Sequence, residues 1–423
     1  MTTRGGTLHA PAEVPTGDRG HPPTRLPLVV YVLALGTFPM GTTEFVVAGL
    51  LPEIAGDVGT GVARAGLLIT VFAVGMIVGA PLMAMLTLRL PRRLTLILAL
   101  GVFAAGHVVV ALGSGFGALL AARFLTALAT GAFWAVANVV AAHAAGPAAS
   151  SRALGVVGAG AMLANVVGVP AGAFAGQLMG WRGPFWALAV LGAAAMVLIA
   201  RHVPRDTDGH RAVSVRAELS ALRSGRLWLA LAACATTTGG VLSTYTYISP
   251  LLTGRAHLAA ALVPLVLVGF GAGALAGFLV GGRLGDRRPY TTTIAAAVTT
   301  VLLPAICLLS AHPAPTVALV ALLGLFGLGA NPVLISLGVR FAGRAPTLGS
   351  ALTVSASNLG TARRLLDRGP RPRLPAASHG AGPVGTATAA LTLIPTVAIA
   401  VVQRRRSTAP TGTVVHLSAP ESA

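Results

Sequence analysis

Long apolar runs alternate along this chain with short polar turns. The runs fall at 27–50, 65–87, 94–113, 117–141, 153–177, 183–203, 226–250, 260–282, 291–311, 315–338, 345–362 and 382–403. A helix rising ~1.5 Å per residue needs about 20 residues to cross a ~30 Å hydrocarbon layer, and most of these runs have that length. Gly and Pro recur inside them, as membrane helices tolerate far better than soluble ones. The pattern predicts an all-α membrane protein of twelve transmembrane helices. It divides into a tail (1–26), a six-helix half (27–203), a central polar loop (204–225), a second six-helix half (226–403) and a tail (404–423). Within the central loop, Val213 to Leu222 predicts a short surface helix.

Composition agrees with a lipid solvent. Of 423 residues 55% are hydrophobic and 10% charged, with a mean hydropathy of +0.81, whereas soluble domains carry about 25% charged residues. The net charge of +19 would suggest nucleic acid in a soluble chain. Here the basic residues sit in loops, so no nucleic-acid partner is expected. All 30 are arginine, which with abundant Ala, Gly and Pro suggests a GC-rich bacterial gene. Arg89, Arg92, Arg93, Arg152, the central group, Arg283, Arg287, Arg288, Arg340, Arg344 and Arg404 to Arg406 fall on one side of the membrane. Before residue 363 the other side holds only Arg64, Arg182 and Arg255. By the positive-inside rule both termini are cytoplasmic, in the inner membrane. Cys234 and Cys307 lie far apart in apolar runs and offer neither a disulfide framework nor a metal spacing; no metal or cofactor is expected.

The acids single out one residue. Of eleven Asp and Glu, only Glu44 lies within a run, in Thr42-Thr43-Glu44-Phe45. An ionisable group at bilayer depth costs a few kcal/mol or more, and so tends to face a cavity and serve function; a glutamate reaching out to the headgroups is the plainer alternative. Arg123, in Ala121-Ala122-Arg123-Phe124, is the matching base. Counting residues puts the two at similar depth on the outer side, so they are expected to interact and govern proton binding, unless Arg123 only snorkels outward.

The fifth run carries Gly160, Ala164, Gly168, Gly172 and Gly176 at four-residue spacing with Pro170 among them. Such a stripe makes a groove for close helix approach. Phe38, Met40, Phe133, Trp134, Asn138, Asn165, Tyr245, Tyr247 and Asn331 are candidates to line a mostly apolar cavity suited to a neutral organic molecule, or simply to pack helices. The chain has no Gly-Lys-Ser/Thr phosphate loop for an ATP engine, and no catalytic set in a polar domain suggests an enzyme. Leu88-Arg89 and Asp286-Arg287 each end a run before a basic turn, 198 residues apart, which reads as a repeat of two parallel halves or only as the even spacing of any set of spans.

Twelve spans in two halves, Gly282-Arg283-Leu284-Gly285-Asp286-Arg287, Arg123 and the Gly/Pro-rich fifth span together resemble the major facilitator superfamily. Thr42 to Pro52 and Phe72 to Pro81 look more narrowly like its bacterial drug/proton antiporters of the chloramphenicol-resistance type. The resemblance covers 27–360 and 382–403. It implies proton coupling through Glu44 and Arg123, exchange through the antiporter motif Gly168-Val169-Pro170-Ala171-Gly172, and gating through Gly282, Asp286 and Arg287. In the first-half copy, Ala84 and Leu88 replace the expected Gly and Asp before Arg89, which puts that gate in doubt.

One stretch departs from the pattern. The eleventh run meets Arg363-Arg364 after about 17 apolar residues, the first of five arginines up to Arg373 on the outer side. Off-frame reading of GC-rich codons would yield such Arg, Pro, Gly and Ala over 362–381; a short span with an unusual outer loop is the alternative. The expectation is a monomeric, proton-coupled exporter of chloramphenicol or a similar small hydrophobic or neutral drug. The alternatives are a same-fold exporter of a sugar or other metabolite, and an inactive membrane protein with a disrupted eleventh helix.

Overall fold

The computed structural model describes residues 25–366 apart from 114, 206–214, 255, 260–261 and most of 289–311, together with 393–399 and 401. Ten long helices are described. They are α1 (Leu28–Gly49), α2 (Leu67–Leu86), α3 (Arg92–Leu112), α4 (Phe116–Ala145), α5 (Ser150–Met179), α6 (Gly183–His202), α7 (Gly225–Gly254), α8 (Val263–Arg287), α9 (Pro313–Phe341) and α10 (Pro346–Leu366). Among the described residues eight helices are long and apolar enough to cross a membrane. The other two, α7 and α10, are 30 and 21 residues long and carry the Thr and Ser that lower their hydropathy. α9 and α10 correspond to the tenth and eleventh expected spans. Most of the ninth and most of the twelfth lie outside the described residues, as does the stretch 367–381. α10 does not stop where its apolar run stops: the helix continues through Arg363 and Arg364 to Leu366.

The ends of the helices follow from local chemistry. Pro184 opens α6 and Pro313 opens α9, where a missing N–H costs nothing. Gly146 ends α4 with φ 75° and ψ 170°, and Gly180 ends α5 with φ 74° and ψ 166°. Only glycine enters that region cheaply, so each residue lets the chain reverse at once. Inside α5, Ala164–Gly168 widens to a π turn just before Pro170, which lacks the N–H a regular α-helix would use there.

The six helices of the first half share one core, from Leu26 to Val203. The small-residue stripe of α5 lies along α1: Gly160 abuts Ala34 and Thr37, Gly168 abuts Thr42, Gly172 abuts Val46 and Gly176 abuts Leu50. Thr37 Oγ1 reinforces the seam by donating toward the Val157 carbonyl at 2.7 Å. Arg64 and Arg182, at the ends opposite the arginine-rich turns, have local partners. Arg182 pairs with Asp57 at 2.8 Å, and Arg64 lies over the Phe116 ring at 5.3 Å.

The halves meet along two seams, α5 on α8 and α2 on α10. On the first, Gly155 and Gly158 receive Phe278, and Gly282 abuts the first turn of α5. On the second, Ala80 and Ala84 pack with Ala135 and Ala351. Hydrogen bonds join the halves at the arginine-bearing ends and near mid-depth. Ser150 Oγ lies 3.0 Å from Ser336 Oγ, and Ser355 Oγ donates to the Ile77 carbonyl at 2.7 Å. Toward the other end α5 leaves α8, and Pro170, Ala171, Phe174 and Leu178 are exposed.

Candidate functional site

Four helices of the first half converge on Arg123, which is 1% exposed. Its Nη1 donates to Thr43 Oγ1 of α1 at 2.8 Å, and its guanidinium stacks 4.1 Å from the centre of the Phe72 ring of α2. Nε points at the Leu68 carbonyl at 3.5 Å. Nη2 is buried and has no hydrogen-bond partner among the described residues.

Thr43 is shared with a residue that charge-hunting along the sequence misses. His107 of α3, 1% exposed, places Nε2 2.7 Å from Thr43 Oγ1 and Nδ1 2.7 Å from the Phe103 carbonyl. A carbonyl only accepts, so Nδ1 carries the proton and Nε2 of the neutral ring is left as an acceptor. The Thr43 hydroxyl then donates to His107 while its oxygen receives Arg123. The chain of donation runs one way, from Arg123 through Thr43 and His107 to Phe103. Phe103 and Phe185 hold the imidazole at ring-centre distances of 4.1 and 6.1 Å. The signal available in sequence was a lone histidine within an apolar run, Phe103-Ala104-Ala105-Gly106-His107.

Glu44, next to Thr43, is half-buried and lies within electrostatic reach of Arg123. The direct hydrogen bond from Arg123 goes to the neighbouring hydroxyl. Its free Nη2 remains available to a carboxylate that moves closer.

The remaining sequence candidates divide. Met40 and Phe133 are fully buried in the core of the first half, where the Phe133 ring closes on Gly36. Phe38, Trp134 and Asn165 are half-buried, and Asn165 sits in the π turn of α5. Asn138 and Asn331 are buried, and Asn138 Nδ2 and Asn331 Oδ1 have no partner among the described residues. Thr237 and Thr238 of α7 also bury hydroxyls with no partner among the described residues; nothing in the sequence marks them. The side chains of Tyr245 and Tyr247 lie outside the described residues. Arg89 is exposed, and Gly282 and Asp286 sit on the seam with α5.

Replacing His107 tests whether it positions the network. His107→Leu removes the acceptor of Thr43 and should lower stability by about 1–3 kcal/mol. It should also displace the pH profile of transport, because Arg123 is no longer held at a fixed distance from Glu44. His107→Gln, which keeps an acceptor near Nε2, should restore that profile. A His107→Leu profile identical to the parent's would rule the positioning role out.

A polar network sealed among membrane helices, with a second bundle closing on the first along two seams, defines a multi-pass membrane transporter. The model of the major facilitator superfamily matches residues 33–362, and the chain belongs to that family, with its fold of twelve helices in two six-helix halves. It is 38% identical over 341 residues to a chloramphenicol resistance protein of Streptomyces lividans, covering 80% of this chain and 87% of that one. It is 36% identical over 331 residues to the inner membrane transport protein YdhP of Escherichia coli K12, covering 78% and 85%. The crystal structure of the transporter FucP in the outward conformation superposes with a TM-score of 0.71 at 17% identity, over 88% of this chain and 97% of that one.

Proposed function

We propose that the protein is a proton-coupled antiporter that exports a small hydrophobic or neutral drug, with chloramphenicol or a similar antibiotic as the first substrate to test. The observation that carries this reading is the Arg123–Thr43–His107 network fixed beside Glu44, the one acid within an apolar run of the sequence. Glu44 takes up and releases the proton, and Arg123 discriminates its two forms. The neutral carboxyl leaves Nη2 free, and the carboxylate attracts it. Substrate and proton then favour different arrangements of the two halves, as coupling requires.

The substrate class is supported by the mostly apolar helices, by the few buried amides and hydroxyls of Asn138, Asn331, Thr237 and Thr238, and by the chloramphenicol resistance relative. The arginine-bearing ends are assigned to the cytoplasm, with both termini there and the protein in the plasma membrane. On that assignment the seams are shut toward the cytoplasm and the helices part toward the outside. Chloramphenicol accumulation in a drug-sensitive bacterial host, with and without a proton uncoupler, tests the reading. Cells making the protein should accumulate several-fold less drug, and the uncoupler should erase the difference. Equal accumulation for every compound of a neutral-drug panel would sink it.

A further inference from the structure

The two seams between the halves are fastened by carboxylates of different origin. At the α5–α8 seam, Asp286 ends α8 and accepts the backbone N–H groups of Ser151 at 2.8 Å and Arg152 at 2.9 Å. These are the second and third residues of α5, whose first-turn N–H groups have no partner within the helix itself and lie at the positive end of its dipole. The α2–α10 seam should mirror this arrangement, but the position 198 residues before Asp286 is Leu88. The first-half turn therefore has no carboxylate to offer.

The first turn of α10 is nevertheless capped. Leu348 N–H donates to Glu218 Oε2 at 3.3 Å. Glu218 belongs to the short helix Val215–Ser220 of the central loop and is 1% exposed. Leu348 is the third residue of α10, as Arg152 is of α5. The equivalence holds in the backbone, where Ala153 N–H returns to Ala149 and Gly349 N–H to Ala345. Glu218 also lies within electrostatic reach of Arg92, the first residue of α3. Around it Ala221 and Leu222 pack with Leu227, Ala345, Leu348 and Met85, the last from the end of α2. The carboxylate thus stands between a cation of the first half and an amide of the second. Burial pushes its carboxyl above the ordinary carboxylate range, and the Leu348 amide and Arg92 pull the other way.

We propose that Glu218 supplies from the central loop the carboxylate missing at Leu88, and that it holds the α2–α10 seam shut on the arginine-bearing side. This rests on the alternating-access reading above: opening that side to the cytoplasm requires Glu218 to let go of Leu348. The loop connecting the halves is then a working part of the gate, and a first-half turn without its acid does not leave the gate broken.

The test uses the full chain in lipid nanodiscs, with Cys234→Ala and Cys307→Ser and spin labels at Ala148→Cys and Arg344→Cys. Both label sites are exposed, in the turns that precede α5 and α10. Pulsed electron paramagnetic resonance then reads the distance between the halves without substrate or gradient, so a chain that exports nothing still reports on the clasp. The parent should show mainly the short distance. Glu218→Ala should raise the open-to-closed ratio about tenfold, the size expected for losing a hydrogen bond to a charged group. Glu218→Gln keeps the shape and an acceptor oxygen, and should shift the ratio in the same direction by less, which covers the case that the alanine variant does not fold. Leu88→Asp added to Glu218→Ala should close the seam again. A Glu218 variant as closed as the parent, or an opened one that Leu88→Asp leaves open, would overturn the proposal.

Discussion

Arg123→Met should leave a folded protein that no longer exports drug, with efflux at least ~10-fold below the parent, the loss expected for one charge-assisted hydrogen bond of about 1.5–3 kcal/mol. The fold should survive because a buried cation is a poor source of stability. Its desolvation is offset only where every donor is satisfied, and Arg123 Nη2 has no partner among the described residues. An unbranched apolar side chain of similar length fills the space beside Phe72 without that cost. Arg123→Lys should fail as well. A lysine keeps the charge, but it cannot hold Thr43 with one nitrogen, keep a second free and stack a plane on Phe72. Thermal unfolding in detergent and drug efflux from loaded cells read the two properties separately. Met or Lys variants exporting at the parental rate would show that the network has no part in transport.

Glu44→Gln should separate exchange from pumping. Glutamine matches the shape of a protonated glutamate and never releases a proton, so the site is locked in its neutral form. Substrate can still cross as the halves rock. Counterflow of labelled drug against unlabelled drug should persist within a few-fold, while accumulation against a gradient should vanish. The size of the loss follows from coupling: one proton moving down ~1 pH unit supplies ~1.4 kcal/mol, enough to sustain a ~10-fold drug gradient. The variant should fall from that level to about unity. Uphill accumulation by Glu44→Gln at the parental level would remove Glu44 as the coupling group.

The fold was legible because lipid allows few solutions. Each apolar run must satisfy its own backbone, so length alone placed α1, α3 and α6 within about two residues of their observed ends. The small-residue stripe of α5 announced a close neighbour, though only the structure identifies α1 as that neighbour. Less could be read where the partner is distant in sequence. Glu218 looks like an ordinary polar loop residue, because the amide it accepts lies 130 residues away. Its burial is set by α2, α7 and α10 together. His107 escaped for a different reason. A neutral histidine carries no charge whose depth could be read, and in an apolar run it looks like packing until its two ring nitrogens are seen to hold Thr43 and Phe103. Met40 and Phe133 show the converse: side chains that look suited to a cavity wall lie in the closed core of one half, since hydropathy does not say which apolar face meets which.

The most direct measurement places the purified protein in liposomes with labelled chloramphenicol outside and an imposed pH gradient, acidic inside. In the molecules inserted inside-out, proton exit should drive drug inward to about tenfold above the external level for one proton exchanged across ~1 pH unit. Collapsing the gradient should release it, and Glu44→Gln should show neither effect. Accumulation that ignores the gradient, or that persists unchanged in Glu44→Gln, would contradict proton-coupled export through Glu44.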